Sequence, residues 1–596
     1  MINPYLRALN QNLSLQIMNH NTLVKQTTLL LVNFRLYYGF TKNNFTFNLN
    51  NTNSILTFLL VFIGFTGCSG TSEKTSNDTV DTRPNILILV ADDLGYADLG
   101  CFGGDISTPN IDGLALNGIR FSRFHTAPMC APTRAMLLTG NDNHIAGVGR
   151  QALSAQVFGY EGYLTNRVAT IPALLRKDGY HTYMAGKWHL GTGRSANPHE
   201  KGFERSFVLL EGVGNHYNSQ GIFKGIPVSH YTEDGKAAKW PDGKYSTDFY
   251  TDKLIGYIDQ NKEDNRPFFA YAAYTSPHWP LQVDEAYWKK YEGKYNEGYE
   301  KLKKDRLLSL KRAGMIPEDA VLPPAHPAIK SWDSLSETEK KRESRKMELY
   351  AGMVDNLDVN IGRIIQYLKK IGEYENTLII FMSDNGAAGE DYYNNPGIKP
   401  YINPYFNNNF ETMGEANSLI SYGPQWAEAG SSPFRYYKEY ATNGGIIASM
   451  IMSGPMVVKQ NRIADNFLTV MDIAPTLYEI ANINYPSEFN GDRLFPLKGK
   501  SLVPFISNKA NTIHSKDYVF GLEHSGNTML RKGQWKITNF SDPFSLSEFK
   551  LYNLAEDLGE IHDLKNTNPQ KYQEMYQEWT NFASEIKVQL PGISYD

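Results

Sequence analysis

Residues 86–93 read ILILVADD: an unbroken apolar run from Ile86 to Val90, then Asp92 and Asp93 after a single alanine. Such a run suits a strand buried on both faces, as in a parallel sheet covered by helices. Three later segments repeat the arrangement. Thr182–Ala185 is followed by Lys187 and His189 in GKWHLG, Phe268–Tyr274 (FFAYAAY) by His278 in SPHWP, and Thr377–Met382 (TLIIFM) by Ser383-Asp384-Asn385-Gly386. Between the last two, Ser336 and Glu339 have capping-box spacing, and Met347, Tyr350, Val354, Leu357, Ile361, Ile364 and Leu368 recur at helical intervals up to Gly372. Helices alternating with buried strands predict an α/β fold built on a large, mostly parallel sheet flanked by helices. In such sheets ligands bind beyond the carboxyl ends of the strands, where these charged and imidazole side chains gather.

The 596 residues carry 59 Lys plus Arg against 63 Asp plus Glu, with 41 % hydrophobic and 20 % charged residues. That composition excludes a disordered chain, and three cysteines exclude a disulfide-stapled one. Residues 1–67 contain Arg7, Lys25, Arg35 and Lys42 and no acid. Without them 55 basic residues face 63 acidic ones, a net of −8, so no nucleic-acid partner is expected. Ile55–Thr66 (ILTFLLVFIGFT) is apolar but shorter than the roughly 20 residues a spanning helix needs, and fits the core of a secretory signal. It runs into Gly67-Cys68, which resembles the lipobox of bacterial lipoproteins. The expectation is a leader over 1–67, a lipid on Cys68 that ties the chain to a membrane, a flexible tether over 68–82, and export across the inner membrane to the periplasm or cell envelope. A catalytic domain over 83–501 and a C-terminal subdomain over 502–596 complete the expected organisation.

One segment carries the chemistry: Met129-Cys130-Ala131-Pro132-Thr133-Arg134-Ala135-Met136-Leu137-Leu138-Thr139-Gly140. Pro132 fits the first turn of a helix, which puts Cys130 at a helix N-terminus where free N–H groups favour an anion. Arg134 follows one turn later as a fixed cationic fork.

Cys-x-Pro-Thr-Arg followed by Leu-Thr-Gly resembles the signature of type I sulfatases, and GYHTYMAGKWHLG (Gly179–Gly191) is similar to that family's second signature. SPHWPLQ, SDNGAAG and YGPQWAEAGSSPFRYYKEYATNGG look like the bacterial arylsulfatases of the family. The resemblance spans Arg83 to at least Leu502 and implies the alkaline-phosphatase-like sulfatase fold. One departure is Asn443, where an acidic residue often precedes the Gly-Gly pair.

The resemblance further implies that a maturation enzyme oxidises Cys130 to formylglycine, whose hydrate attacks the sulfur of a sulfate ester. It implies metal ligands at Asp92, Asp93, Asp384, Asn385 and position 130 itself. Hard oxygen donors of this kind suit Ca²⁺, or Mg²⁺, rather than zinc. Arg134 is expected to hold the hydrate, Lys187 to contact hydrate and sulfate, and Asp384 to take the nucleophile's proton. His278 and Lys438 are expected to bind sulfate and protonate the leaving oxygen. His189 removes the second hydroxyl's proton, so that sulfate is expelled and the aldehyde returns. Three carboxylates against a divalent cation with Arg134, Lys187 and Lys438 leave a balance of +2, which attracts an anionic ester. Two other readings stay open: a phosphonate monoester or phosphodiester hydrolase of the same superfamily, and an unactivated lipoprotein that binds sulfated glycans.

Elsewhere, Tyr287–Lys346 reads as exposed, charged helices inserted between strands, and Asp472–Ala481 as a helix on the sheet. After Leu502, YVFGLEH, WKITNF and KLYNL read as short strands, and a helix is expected near Pro569–Ile586. Together they predict a small antiparallel subdomain that closes one side of the active-site cleft.

Overall fold

The computed structural model describes residues 81–593 apart from 152–154, 223–226, 392–398, 403, 459–460 and 592. The leader, Cys68 and all but the end of the tether lie outside them. Among the described residues no helix is long and apolar enough to cross a membrane.

An eleven-stranded mixed sheet forms the centre. The four strands read from the sequence are four successive neighbours in it, all parallel: His181–Lys187, Phe268–Ala273, Asn85–Ala91 and Thr377–Ser383. Arg205–Leu209 extends the parallel block beyond His181–Lys187. The sheet turns mixed on both sides. Tyr231–Glu233 and Lys236–Ala238 add an antiparallel edge. On the other side Ile447–Ser453 runs antiparallel to both Thr377–Ser383 and Gly118–His125. Two reversals restore the direction, so Gly118–His125 ends at the same edge as the parallel block, and the reversed Ile447–Ser453 begins there. Every residue of the four predicted strands is buried, which accounts for their lack of apolar–polar alternation.

The 34-residue helix Glu337–Lys370 starts at the predicted capping box: Ser336 Oγ accepts from Glu339 N–H, and the Glu339 side chain accepts from Ser336 N–H. It packs against the helices Ser246–Gln260 and Pro109–Leu116. Asp472–Ala481 resolves into a 3-10 turn, Val470–Asp472, and the helix Ile473–Ile480. Most charges of the 287–346 insertion are exposed, as expected, and Lys303, Arg306 and Lys346 are the buried exceptions. In the helix Tyr299–Arg312, Arg306 is almost fully buried, with Asp98 at 2.6 Å and Asp105 at 2.8 Å, and Lys303 reaches Glu428 at 2.7 Å. Lys303 and Arg306 are turned inward because buried acids across the fold require partners.

At the C-terminus Val519–His524, Asn527–Lys532, Trp535–Asn539 and Lys550–Asn553 form a four-stranded antiparallel sheet, covered by the helix Pro569–Ile586. Asn527–Lys532 (NTMLRK) has too few apolar residues to be read as a strand. Trp579 Nε1–H donates to Thr528 Oγ1 at 2.7 Å and fixes helix to sheet. This sheet joins the rest of the fold through His144, whose Nδ1 lies 3.1 Å from Asp142 and whose Nε2 lies 3.0 Å from Glu523. Burial opposes charge on this imidazole, but the hydrogen bonds from Asp142 and Glu523 win and raise its pKa to about 9. Because the folded value lies above the ordinary 6.5, the stabilisation is complete below that pH and is lost as pH rises through about 9. Thermal unfolding should therefore find His144→Gln less stable than the parent at neutral pH, with the gap closing on the alkaline side of 9.

Candidate active site

Asp92 and Asp93 leave the end of Asn85–Ala91, and neighbouring strand ends hold them. Asp92 N–H donates to Ser276 O at 3.1 Å, Asp384 N–H to Ala91 O at 3.2 Å, and Asp93 N–H to Asp384 Oδ1 at 3.1 Å. Asp93 has φ 66°, a left-handed conformation that non-glycine residues adopt at a cost and that turns its carboxylate back over the sheet edge. Cys130 is the first residue of the helix Cys130–Thr139, and its Sγ lies 3.7 Å from Asp93 Oδ1. The turn after Thr377–Ser383 is pinned at Gly386, where a Cβ would sit 1.9 Å from Gly444 O. Only glycine permits that approach, which brings Asn385 beside the start of Ile447–Ser453.

Three buried carboxylates each meet a buried cation. Arg134 Nε and Nη2 donate to Asp384 Oδ2 at 3.0 and 2.7 Å, while its Nη1 donates to Lys187 O at 3.2 Å. Lys187 Nζ straddles Asp92, at 2.9 and 2.8 Å from its two oxygens. Lys438 Nζ donates to Asp93 Oδ2 at 2.8 Å and has His278 Nε2 at 3.4 Å and Glu390 Oε1 at 3.2 Å. Lys438 precedes its strand instead of following it because Ile447–Ser453 runs in reverse and enters the sheet at this edge. His278 Nδ1–H donates to Trp279 O at 2.6 Å, so Nε2 faces Asp93 Oδ2, 3.2 Å away. Behind it His216 Nε2–H donates to the His278 carbonyl at 3.2 Å, and Ser246 Oγ is 2.6 Å from His216 Nδ1.

Burial, Asp384 and Asp93 push the Asp92 carboxyl up to about 7 against the pull of Lys187 and Arg134. At Asp93 burial is outweighed by Lys438 and His278, and the carboxyl is held well below the usual range. Burial lifts the Cys130 thiol well above its ordinary value despite Lys187 and Lys438, so the unmodified side chain is a thiol and not a thiolate. His189 is driven well below 6.5 by burial and by Lys187, Arg134 and Lys438, and its Nδ1 has no partner among the described residues.

One oxygen from each of Asp92 and Asp93, Cys130 Sγ and a ring nitrogen of His278 lie within 4.8 Å of one another, a grouping able to hold a metal. Asn385 Nδ2–H donates to Asp93 Oδ1 at 2.6 Å, whereas its Oδ1 is buried without a hydrogen-bond partner among the described residues. A buried carbonyl oxygen left bare beside two carboxylates fits a hard cation. Asp92, Asp93 and Cys130 of the expected ligands share this grouping with His278, while Asp384 is not part of it.

All expected residues gather at this edge. Arg134 is committed to Asp384, whose Oδ1 also accepts the Asp93 N–H. His189 has φ 58° and lies just beyond the strand that ends at Lys187. Glu390 and His216 were not read from the sequence. Glu390 follows the SDNGAAG run with no spacing signal, and His216 lies in a loop and acts through a backbone carbonyl. Asn443 accepts from Lys536 Nζ at 3.1 Å, and its N–H donates to Glu560 Oε2 at 2.6 Å. Glu560, fully buried, pairs with Lys536 at 2.8 Å and supplies the acid that position 443 lacks.

A family model described as Sulfatase matches residues 84–483, more than half of the chain. The chain belongs to the sulfatase family. A second model, N-sulphoglucosamine sulphohydrolase, C-terminal, matches this sulfatase over 434–589. It is 41 % identical over 529 residues to an uncharacterised sulfatase of Schizosaccharomyces pombe, covering 85 % of this chain and 94 % of that protein. It is 37 % identical over 429 residues to the arylsulfatase of Klebsiella aerogenes, covering 70 % and 91 %. The crystal structure of Ps i-CgsB superposes with a TM-score of 0.61 at 26 % identity, over 86 % of this chain and 94 % of that one. This sulfatase is an enzyme of sulfate ester hydrolysis.

Removing Arg134 strands the buried Asp384 charge. Arg134→Met should lower folding stability by about 3–5 kcal/mol, measured by urea denaturation.

Proposed function

We propose that this sulfatase is an exported, lipid-anchored enzyme of the periplasm or cell envelope that cleaves aryl, alkyl or carbohydrate sulfate monoesters, using a formylglycine made from Cys130 by a maturation enzyme. The observation that carries the reading is that Cys130 shares one buried edge with Asp92, Asp93, Asp384 and the bare Asn385 Oδ1. The similarity to a bacterial arylsulfatase makes an aryl sulfate the first substrate to try. Export and lipidation rest on the apolar run Ile55–Thr66 and on Cys68 after it.

Asp92, Asp93, Asp384 and Asn385 would hold Ca²⁺ or Mg²⁺. When bound, the cation polarises a sulfate oxygen and lowers the nucleophile's pKa. Lys187 and Lys438 attract the anionic ester to the edge of the sheet. Arg134 fixes Asp384 and holds the Lys187 backbone through its carbonyl. Lys438 Nζ is the proton donor for the departing oxygen, and His278 Nε2, 3.4 Å away, accepts from it and orients it. His189, kept neutral by burial and the surrounding cations, accepts a proton at Nδ1. His216 keeps the His278 backbone in register.

Two experiments test the reading. Mass spectrometry of the Cys130 peptide from native cells should find the aldehyde, and the purified protein should turn over 4-nitrophenyl sulfate faster than an aryl phosphonate. An unmodified thiol would favour the glycan-binding reading, and faster phosphonate cleavage the superfamily alternative. Asn385→Ala should weaken Ca²⁺ binding by about 10- to 100-fold in calorimetry, with turnover recovering at raised Ca²⁺.

A further inference from the structure

Lys438 already has a buried acid in Asp93, at 2.8 Å, yet a second carboxylate is held against it. Glu390 Oε1 lies 3.2 Å from Lys438 Nζ, its side chain is 13 % exposed, and its Oε2 is buried with no hydrogen-bond partner among the described residues. Burying an extra charge with one oxygen unsatisfied is unfavourable, and a lysine with one good ion pair does not require it. The arrangement makes sense as charge control. Asp92, Asp93, Asp384 and Glu390 oppose Arg134, Lys187 and Lys438, a balance of −1 with the histidines neutral. A divalent cation raises it to +1, not the +2 obtained from the three aspartates alone. Burial and Glu390 push the neighbouring Glu439 carboxyl up to about 7, so it does not count as a full charge.

We propose that Glu390 is a specificity-determining residue that matches the site to a singly charged sulfate monoester and disfavours a doubly charged phosphate monoester. A sulfate ester brings the site to neutrality. A phosphate monoester, close to −2 at neutral pH, leaves an unbalanced negative charge in a buried pocket. One unit charge over the width of such a site, at an effective dielectric near 20, is worth about tenfold or more in relative affinity. The inference rests on the sulfatase reading above and assigns that site its charge preference.

The test uses the full-length, metal-loaded enzyme and two ratios. The first is kcat/KM for 4-nitrophenyl sulfate over that for 4-nitrophenyl phosphate. The second is the calorimetric Kd of benzenesulfonate against that of phenylphosphonate, inert mimics of similar shape with one and two charges. Glu390→Gln should move both ratios about tenfold or more towards the dianion, and Glu390→Asp should stay near the parent. Glu390→Ala carries the same expectation should the Gln variant not fold. If Glu390→Gln or Glu390→Ala weakens both ligands alike, Glu390 only positions Lys438 and the proposal is wrong. A parent enzyme that cleaves the sulfate ester while the variants leave the ratios unchanged overturns this inference alone. A parent inert towards sulfate esters overturns the sulfatase reading itself.

Discussion

Three aspartates sit out of water at one edge of a sheet, and each is answered by its own cation: Asp384 by Arg134, Asp92 by Lys187, Asp93 by Lys438. Isolated ions in such a place would be costly, and paired ones gain little net stability over an apolar core. What the pairing supplies is position. Six charged side chains from distant parts of the chain are fixed within one layer, so a cation and an anionic ester meet groups that need not reorganise. The rest of the architecture can be read as the means of assembling that layer.

Parallel strands are the means. Four neighbouring strands point the same way, and the first residues after each are forced to the same edge, a few ångströms from those of the next strand. The reversed strand Ile447–Ser453 contributes from its beginning, which is why Lys438 lies upstream of its strand while the other site residues lie downstream or in the helix begun by Cys130. Glycines at 386, 444 and 445 let backbones touch where side chains would hold them apart.

Much of this was legible from sequence because it depends on local pattern. ILILV and TLIIFM are too apolar to face water, the Ser336–Glu339 cap marks a helix start to the residue, and the Cys130 segment joins a proline, a cysteine and an arginine at helical spacing. The parts that were not legible depend on what lies across the fold. Arg306 reads as a surface charge until Asp98 and Asp105 are seen beneath it. Glu390 and the strand NTMLRK carry no local signal, because their roles come from partners distant in the chain.

Asn443 shows the same limit from the opposite side. Within its motif an acid is missing, yet Glu560, 117 residues downstream, reaches the backbone N–H of that very position and pairs with Lys536 beside it. The electrostatic requirement is met by an import from the far end of the chain. Windowed motif scoring would count a defect, whereas a ledger kept in three dimensions records a transfer, and it makes the last hundred residues co-owners of the loop that delivers Lys438.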